Sequence, residues 1–238
     1  MGFMDEKELK TSPKQRFFII LIAVLMVGSI IASYAAIVIA GSNGSATTTS
    51  SSIDEVKVAE LKADYDEKQA EFKELAQDDF AEFIKYKSEI TAYNESAANT
   101  GGVTTKDLKV GTGREIGEDD EDYLAYYVGW CADETVFDSS FDDATNPTAF
   151  TKILDASLGM IEGWTLGVTG MKIGGVRVIT VPGELAYGDT MEICGGTNKP
   201  LKFMIMTREN EDELADLASA LDTAYLKYQY YTAYGIEY

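Results

Sequence analysis

The chain contains no histidine and only two cysteines, Cys131 and Cys194. Without an imidazole neither a Ser-His-Asp nor a Cys-His nucleophile can be assembled, and no His-containing zinc site can form. Two cysteines are also too few for a structural zinc site of their own. The acidic run at 118–122 and the pair Asp142-Asp143 lack the ligand spacing of an EF-hand loop and read as solvated turns. No metal and no cofactor is expected. Whatever chemistry occurs must work without an imidazole. Phe137, Trp164 and Phe203 read first as core aromatics and second as pocket walls. Asp138 reads as a turn carboxylate, and the two cysteines as either a disulfide or two buried thiols.

The elements that must position these residues lie between 103 and 207, where the texture is short strands and glycine turns. "YLAYYVGW", "VRVITV" and "LKFMIM" read as strands, and "EGWTLGV" as one short helix. That pattern predicts an α+β fold, an antiparallel sheet with a small helix packed on it. Ahead of it, residues 17–40 form an uncharged apolar run long enough to cross a bilayer core of roughly 30 Å. Lys7, Lys10, Lys14 and Arg16 precede this run, and the next positive charge is Lys57. The positive-inside rule then makes 1–16 a cytoplasmic tail and everything after 40 extracytoplasmic. The run is too long for a signal-peptide core and reads as an uncleaved, single-pass membrane anchor.

Residues 41–52 are small and polar, a flexible linker. Ser52 and Glu55 have capping-box spacing, and an apolar stripe from Val58 to Tyr93 predicts one long amphipathic helix over 53–100. A second amphipathic helix is expected within 208–238, with Leu214, Leu217, Leu221, Tyr225 and Tyr228 on one stripe. The two helices should pack on each other or, in a homodimer, on a second copy of the chain. A formal net charge of -20 argues against a nucleic-acid partner.

"KVGTGRE", "YYVGW", "DETVFDSSFD", "GMIEGWTLGVTGMKIGGVRVITVPGELAYG" and "PLKF" follow one another in an order and spacing that resemble the FKBP-type peptidyl-prolyl cis–trans isomerases. The resemblance covers about 103–207. It implies a sheet wrapped around a short helix, an isomerase acting on X–Pro bonds, and proline-containing polypeptides as clients. Rotation about such a bond crosses a resonance barrier without proton transfer or nucleophile, so the lack of histidine fits.

Carried over residue by residue, the resemblance makes Trp164 the floor of a pocket and Tyr127, Phe137 and Phe203 its aromatic walls. Met160 and Ile161 would close one side, and the Ile161 backbone N–H would face the substrate carbonyl. Asp138 becomes a polar positioner, Tyr187 a hydroxyl donor to the carbonyl, and Phe150 a further wall. Ile193 would keep an apolar contact from an overhanging loop. That loop lacks the usual Ile-Pro-Pro, and Gly195-Gly196 would loosen it, a looseness that a Cys131–Cys194 disulfide would offset. Glu134 also stands where a turn glycine is usual. The expectation is an anchored, extracytoplasmic isomerase. The alternative is a non-catalytic FKBP-like binding, chaperone or scaffold module on a helical stalk.

Overall fold

In a computed structural model that describes residues 53–235, the strands form one antiparallel sheet. They are β1 (Thr104–Lys109), β2 (Tyr123–Trp130), β3 (Val136–Ser139), β4 (Leu154–Asp155), β5 (Val176–Val181) and β6 (Leu201–Glu209). Their order is β1-β5-β6-β2-β3, with β4 paired to β2. The three strands expected from sequence are β2, β5 and β6, and they are the contiguous middle of the sheet.

Every residue of β2 is buried. Because side chains alternate along a strand, this means that both faces of the sheet are covered there. Tyr123, Ala125, Tyr127 and Gly129 share one face. Leu124, Tyr126, Val128 and Trp130 share the other, and all four belong to a core that includes Phe72, Phe83, Phe150, Met204, Leu214 and Leu221. The second face is thus covered by the sequences that flank the sheet domain.

The helices are α1 (Glu55–Leu75), α2 (Gln77–Phe83), α3 (Glu95–Ala98), α4 (Glu162–Val168) and α5 (Asp212–Tyr234). The single helix expected over 53–100 is corrected: α1 begins behind an Asp54 cap, turns at Ala76 into α2, and continues as a 3-10 turn at Ile84–Glu89. Packing is the reason. Phe72, Ala76 and Phe83 are fully buried, and Phe80 and Phe83 meet Phe150 edge-on, each at 5.4 Å between ring centres. From Ile90 the chain is extended and bonds to the β2–β3 turn, the Ala92 N–H to Glu134 Oε1 at 2.9 Å and the Tyr93 N–H to the Ala132 carbonyl at 3.0 Å. Those bonds replace the helical ones that the periodicity alone would continue.

α1 and α5 pack on each other within the chain. Tyr65 lies 5.5 Å from the Tyr225 ring and stacks parallel to Tyr228 at 6.3 Å. The tail 1–16, the apolar run 17–40 and the linker 41–52 lie outside the described residues. Among the described residues no helix is long and apolar enough to cross a membrane.

α4 lies against β5 on the first face of the sheet. Gly163 permits the approach, since a methyl group there would overlap Val181 Cγ1. Arg177, itself buried, fixes the far end of α4. Its Nη1 donates to the Gly167 carbonyl at 2.9 Å and to that of Thr169 at 3.2 Å, while Nε pairs with Asp107 at 2.6 Å. A guanidinium at a helix C-terminus also complements the partial negative charge of the exposed carbonyls.

Phe150 is corrected as well. It is not on the face that holds Trp164: it is fully buried on the helical face, stacked on Tyr126 at 4.1 Å and on Phe141 at 5.6 Å. The turn between Phe141 and Phe150 explains the change. Asp142 Oδ1 accepts from the Thr148 N–H at 2.9 Å and the Ala149 N–H at 3.2 Å, which folds the segment back and pairs Phe141 with Phe150 across a β-bridge. Phe150→Ala should therefore cost about 3–5 kcal/mol of stability. Urea unfolding measures that loss, and kcat/KM of the folded protein for an X–Pro peptide should stay near that of the wild type.

Candidate active site

β2, β3 and β6, together with α4, bring four aromatic rings into one cluster. Trp164 is at its centre, edge-on to Tyr127 at 5.8 Å and to Phe203 at 5.6 Å. Phe137 extends the cluster, edge-on to Phe203 at 5.6 Å. Edge-to-face arrangements at these separations are the favoured geometry for aromatic pairs. Tyr127, Trp164 and Phe203 are buried, whereas Phe137 is half-buried and forms the open side. Gly129 makes the junction possible. A Cβ there would lie 2.6 Å from Phe137 Cζ and 2.9 Å from Phe203 Cε1, so any side chain would drive those two rings apart.

Local structure holds each ring. Trp164 is in the first turn of α4, and its indole N–H donates to the Tyr123 hydroxyl at 3.0 Å. Tyr127 is fixed through its backbone N–H, which donates to Ser140 Oγ at 3.1 Å, and through its hydroxyl, which donates to Asp138. Asp138 accepts two further bonds, from Lys152 Nζ at 2.5 Å and from the Ser139 N–H at 2.9 Å. Lys152 Nζ also sits 5.4 Å from the centre of the Tyr127 ring, within range of a cation–π contact. The Asp138 carboxylate is thus committed to three donors and acts as a strut for Tyr127. Burial, and after it the Asp138 charge, pushes the Tyr127 phenol well above its usual range.

Ile161 caps α4, and its carbonyl accepts from the Trp164 N–H at 2.9 Å. Among the described residues its own N–H is bonded to no acceptor. Met160, half-buried, directly precedes it in the chain. Tyr187 lies between two 3-10 turns, Gly183–Leu185 and Gly188–Thr190. Burial and then the nearby Asp138 charge push its hydroxyl up to about 12. The phenol is therefore a protonated donor throughout the neutral range.

Cys131, at the end of β2, is joined to Cys194 by a disulfide, with their Cα atoms 5.5 Å apart. At Gly195-Gly196, where looseness is expected, the backbone forms a defined turn. Cys194 and Gly195 both have positive φ, at 56° and 78°, and Ile193 and Gly196 exchange backbone hydrogen bonds of 2.9 and 3.3 Å. Two positive-φ residues at the centre of such a pair make a tight primed turn, the common two-residue hairpin connection. Ile193 lies at the foot of this turn, half-buried. Glu134 takes its turn at φ 72° despite its side chain, and the carboxylate bonded to the Ala92 N–H offsets part of the cost.

Three supporting residues escaped the sequence reading. Tyr123 shares the face of Tyr127 by even spacing along β2, a signal present in "YLAYYVGW". Lys152 lies in a segment without periodicity. Arg177 read only as a strand residue.

With this geometry in place, the comparisons with known proteins are specific. Residues 114–206 match the family model described as FKBP-type peptidyl-prolyl cis-trans isomerase. The chain is 40% identical over 91 residues to an "FK506-binding protein" of Neisseria meningitidis serogroup B, a match that covers 37% of this chain and 76% of that protein. It is 42% identical over 90 residues to "FK506-binding protein 4" of Neurospora crassa, covering 37% of this chain and 17% of that much longer protein. The chain belongs to the FKBP family and carries its peptidyl-prolyl isomerase activity.

Buried neutral tyrosines carry a pH signature. Tyr187 and Tyr123 are both pushed up to about 12, Tyr123 chiefly by burial, whereas an unfolded tyrosine ionises near 10. Their contribution to stability is complete below about pH 10, because there both states hold the proton. Above that value only the unfolded state has released it, so stability should fall as pH rises from about 10 through about 12. Chemical unfolding, followed alongside phenolate absorbance, measures this. Across about pH 6 to about pH 9 the phenol stays protonated, so kcat/KM should be flat.

Proposed function

We propose that the four-ring cluster is the isomerase site and that it acts on proteins folding outside the cytoplasm, held at the membrane by residues 17–40. The observation that carries the site assignment is the ring-to-ring contact of Trp164 with Tyr127 and Phe203, open on the Phe137 side. A proline ring seated on Trp164 would be enclosed by apolar walls. The bond to be rotated has a barrier of roughly 18–20 kcal/mol that arises from amide resonance. Twisting the bond removes that resonance and its charge separation, so the twisted amide tolerates a water-poor site better than the planar one does. The Ile161 N–H and the Tyr187 hydroxyl are the donors that would hold the substrate carbonyl in the turned geometry. Stabilising that state by about 4 kcal/mol corresponds to roughly a thousandfold acceleration.

Two features support the location. Lys7, Lys10, Lys14 and Arg16 closely precede the apolar run, and the next positive charge after it is Lys57. A disulfide closes the edge of the domain, and such bonds persist in oxidising compartments. The clients are proline-containing polypeptides whose refolding waits on X–Pro isomerisation.

Refolding of a proline-limited substrate should be accelerated by the full-length protein in detergent or vesicles. Trp164→Ala combined with Tyr187→Phe should abolish most of that acceleration while leaving the chain folded. An unchanged rate in the double variant would remove the site assignment. Protease digestion of right-side-out vesicles should release the isomerase domain, and protection of the domain would remove the topology.

A further inference from the structure

The segment that leads from α3 into β1 crosses the loop between β5 and β6, the loop that carries Tyr187 and Ile193. Asn99, at the C-terminal cap of α3, is hydrogen-bonded to both limbs of that loop. Its Oδ1 accepts from the Gly183 N–H at 2.7 Å, and its Nδ2 donates to the Asn198 carbonyl at 3.3 Å. The two limbs meet directly as well, through the Asn198 N–H and the Gly188 carbonyl at 2.7 Å. Gly183 is buried, and any side chain there would overlap the Asn198 carbonyl. Among the described residues the Gly183 N–H has no other acceptor. Without Asn99 it would be a buried, unpaired donor, a costly state for a backbone group.

Asn99 is itself held in place. Its N–H donates to the Glu95 carbonyl at 3.0 Å, and α3 is capped by Asn94, whose Oδ1 accepts from the Ala97 N–H at 2.8 Å. Upstream, the Tyr93 hydroxyl donates to the Pro200 carbonyl at 2.9 Å, so the segment is pinned to the chain on the far side of the same loop. Asn99 lies outside residues 114–206, the part of the chain that matches the family model.

We propose that Asn99 is a positioning residue for the isomerase, which clamps the two limbs of the β5–β6 loop so that the Tyr187 hydroxyl is held at the site. The inference rests on the reading of Tyr187 as the donor to the substrate carbonyl. It makes the segment ahead of the sheet domain a working part of the site, in a loop that has no Ile-Pro-Pro to stiffen it.

The test is kcat/KM for an X–Pro peptide with the full-length chain, with thermal unfolding followed in parallel. Asn99→Ala removes both side-chain bonds to the loop and should lower kcat/KM by about three- to tenfold, the scale of roughly 1 kcal/mol of lost positioning. Asn99→Asp keeps the acceptor for Gly183 but loses the donor to the Asn198 carbonyl, and should recover only part of the rate. If Asn99 acts through Tyr187, the double variant Asn99→Ala/Tyr187→Phe should be no slower than Tyr187→Phe alone. Wild-type kcat/KM in Asn99→Ala, with Tyr187→Phe impaired, would overturn the inference. So would losses that multiply in full in the double variant. An unimpaired Tyr187→Phe would overturn the Tyr187 assignment itself, and the inference with it.

Discussion

The whole arrangement depends on β2 being buried on both faces. Its odd residues place Tyr127 against Trp164, and its even residues place Tyr126 against Phe150. A slip of one residue would exchange the two sets and destroy both cores together. β6, paired with β2 along its length, obeys the same rule: Phe203 faces the aromatic cluster while Met204 and Met206 join the helical core. The helical layer and the site therefore share their central walls. Each large aromatic side chain so buried contributes about 1.5–3 kcal/mol, which sets the strand register firmly.

The polar groups around the rings serve position more than chemistry. Asp138 is committed to Tyr127, Lys152 and Ser139, and the indole N–H of Trp164 is bound to Tyr123. Arg177 fixes the end of the helix that carries Trp164. Such an inventory suits a reaction in which a bond turns and no atom is transferred. The Cys131–Cys194 bond adds rigidity where the β5–β6 loop meets the end of β2. For a loop of this length the chain-entropy model gives about 4 kcal/mol of stabilisation.

Much of the central fold could be read from the chain because its strands are strongly patterned and its motifs fall in an ordered series. β2, β5, β6 and α4 all lie where runs such as "YLAYYVGW" and "EGWTLGV" place them. The helical flank was harder to read, for a physical reason. Periodicity reports which residues are apolar, and it does not report that Phe80 and Phe83 must turn inward onto Phe150. Phe150 was misplaced because its segment has no repeat, and its direction is decided by the bonds that Asp142 accepts from Thr148 and Ala149. The glycines at 195 and 196 suggested looseness, whereas a positive-φ cysteine beside Gly195 produces a tight turn. Contacts between distant segments, such as Lys152 with Asp138, have no local signature at all.

On the proposed mechanism, X–Pro rotation against the aromatic cluster moves no proton in the step that limits the rate. The most direct measurement is kcat/KM for an Ala-Pro peptide in H2O and in D2O at matched acidity. Equal values are predicted, because only the amide bond turns and the donors keep their protons. A clear slowing in D2O would contradict the proton-free mechanism and point to proton transfer by a group such as Asp138.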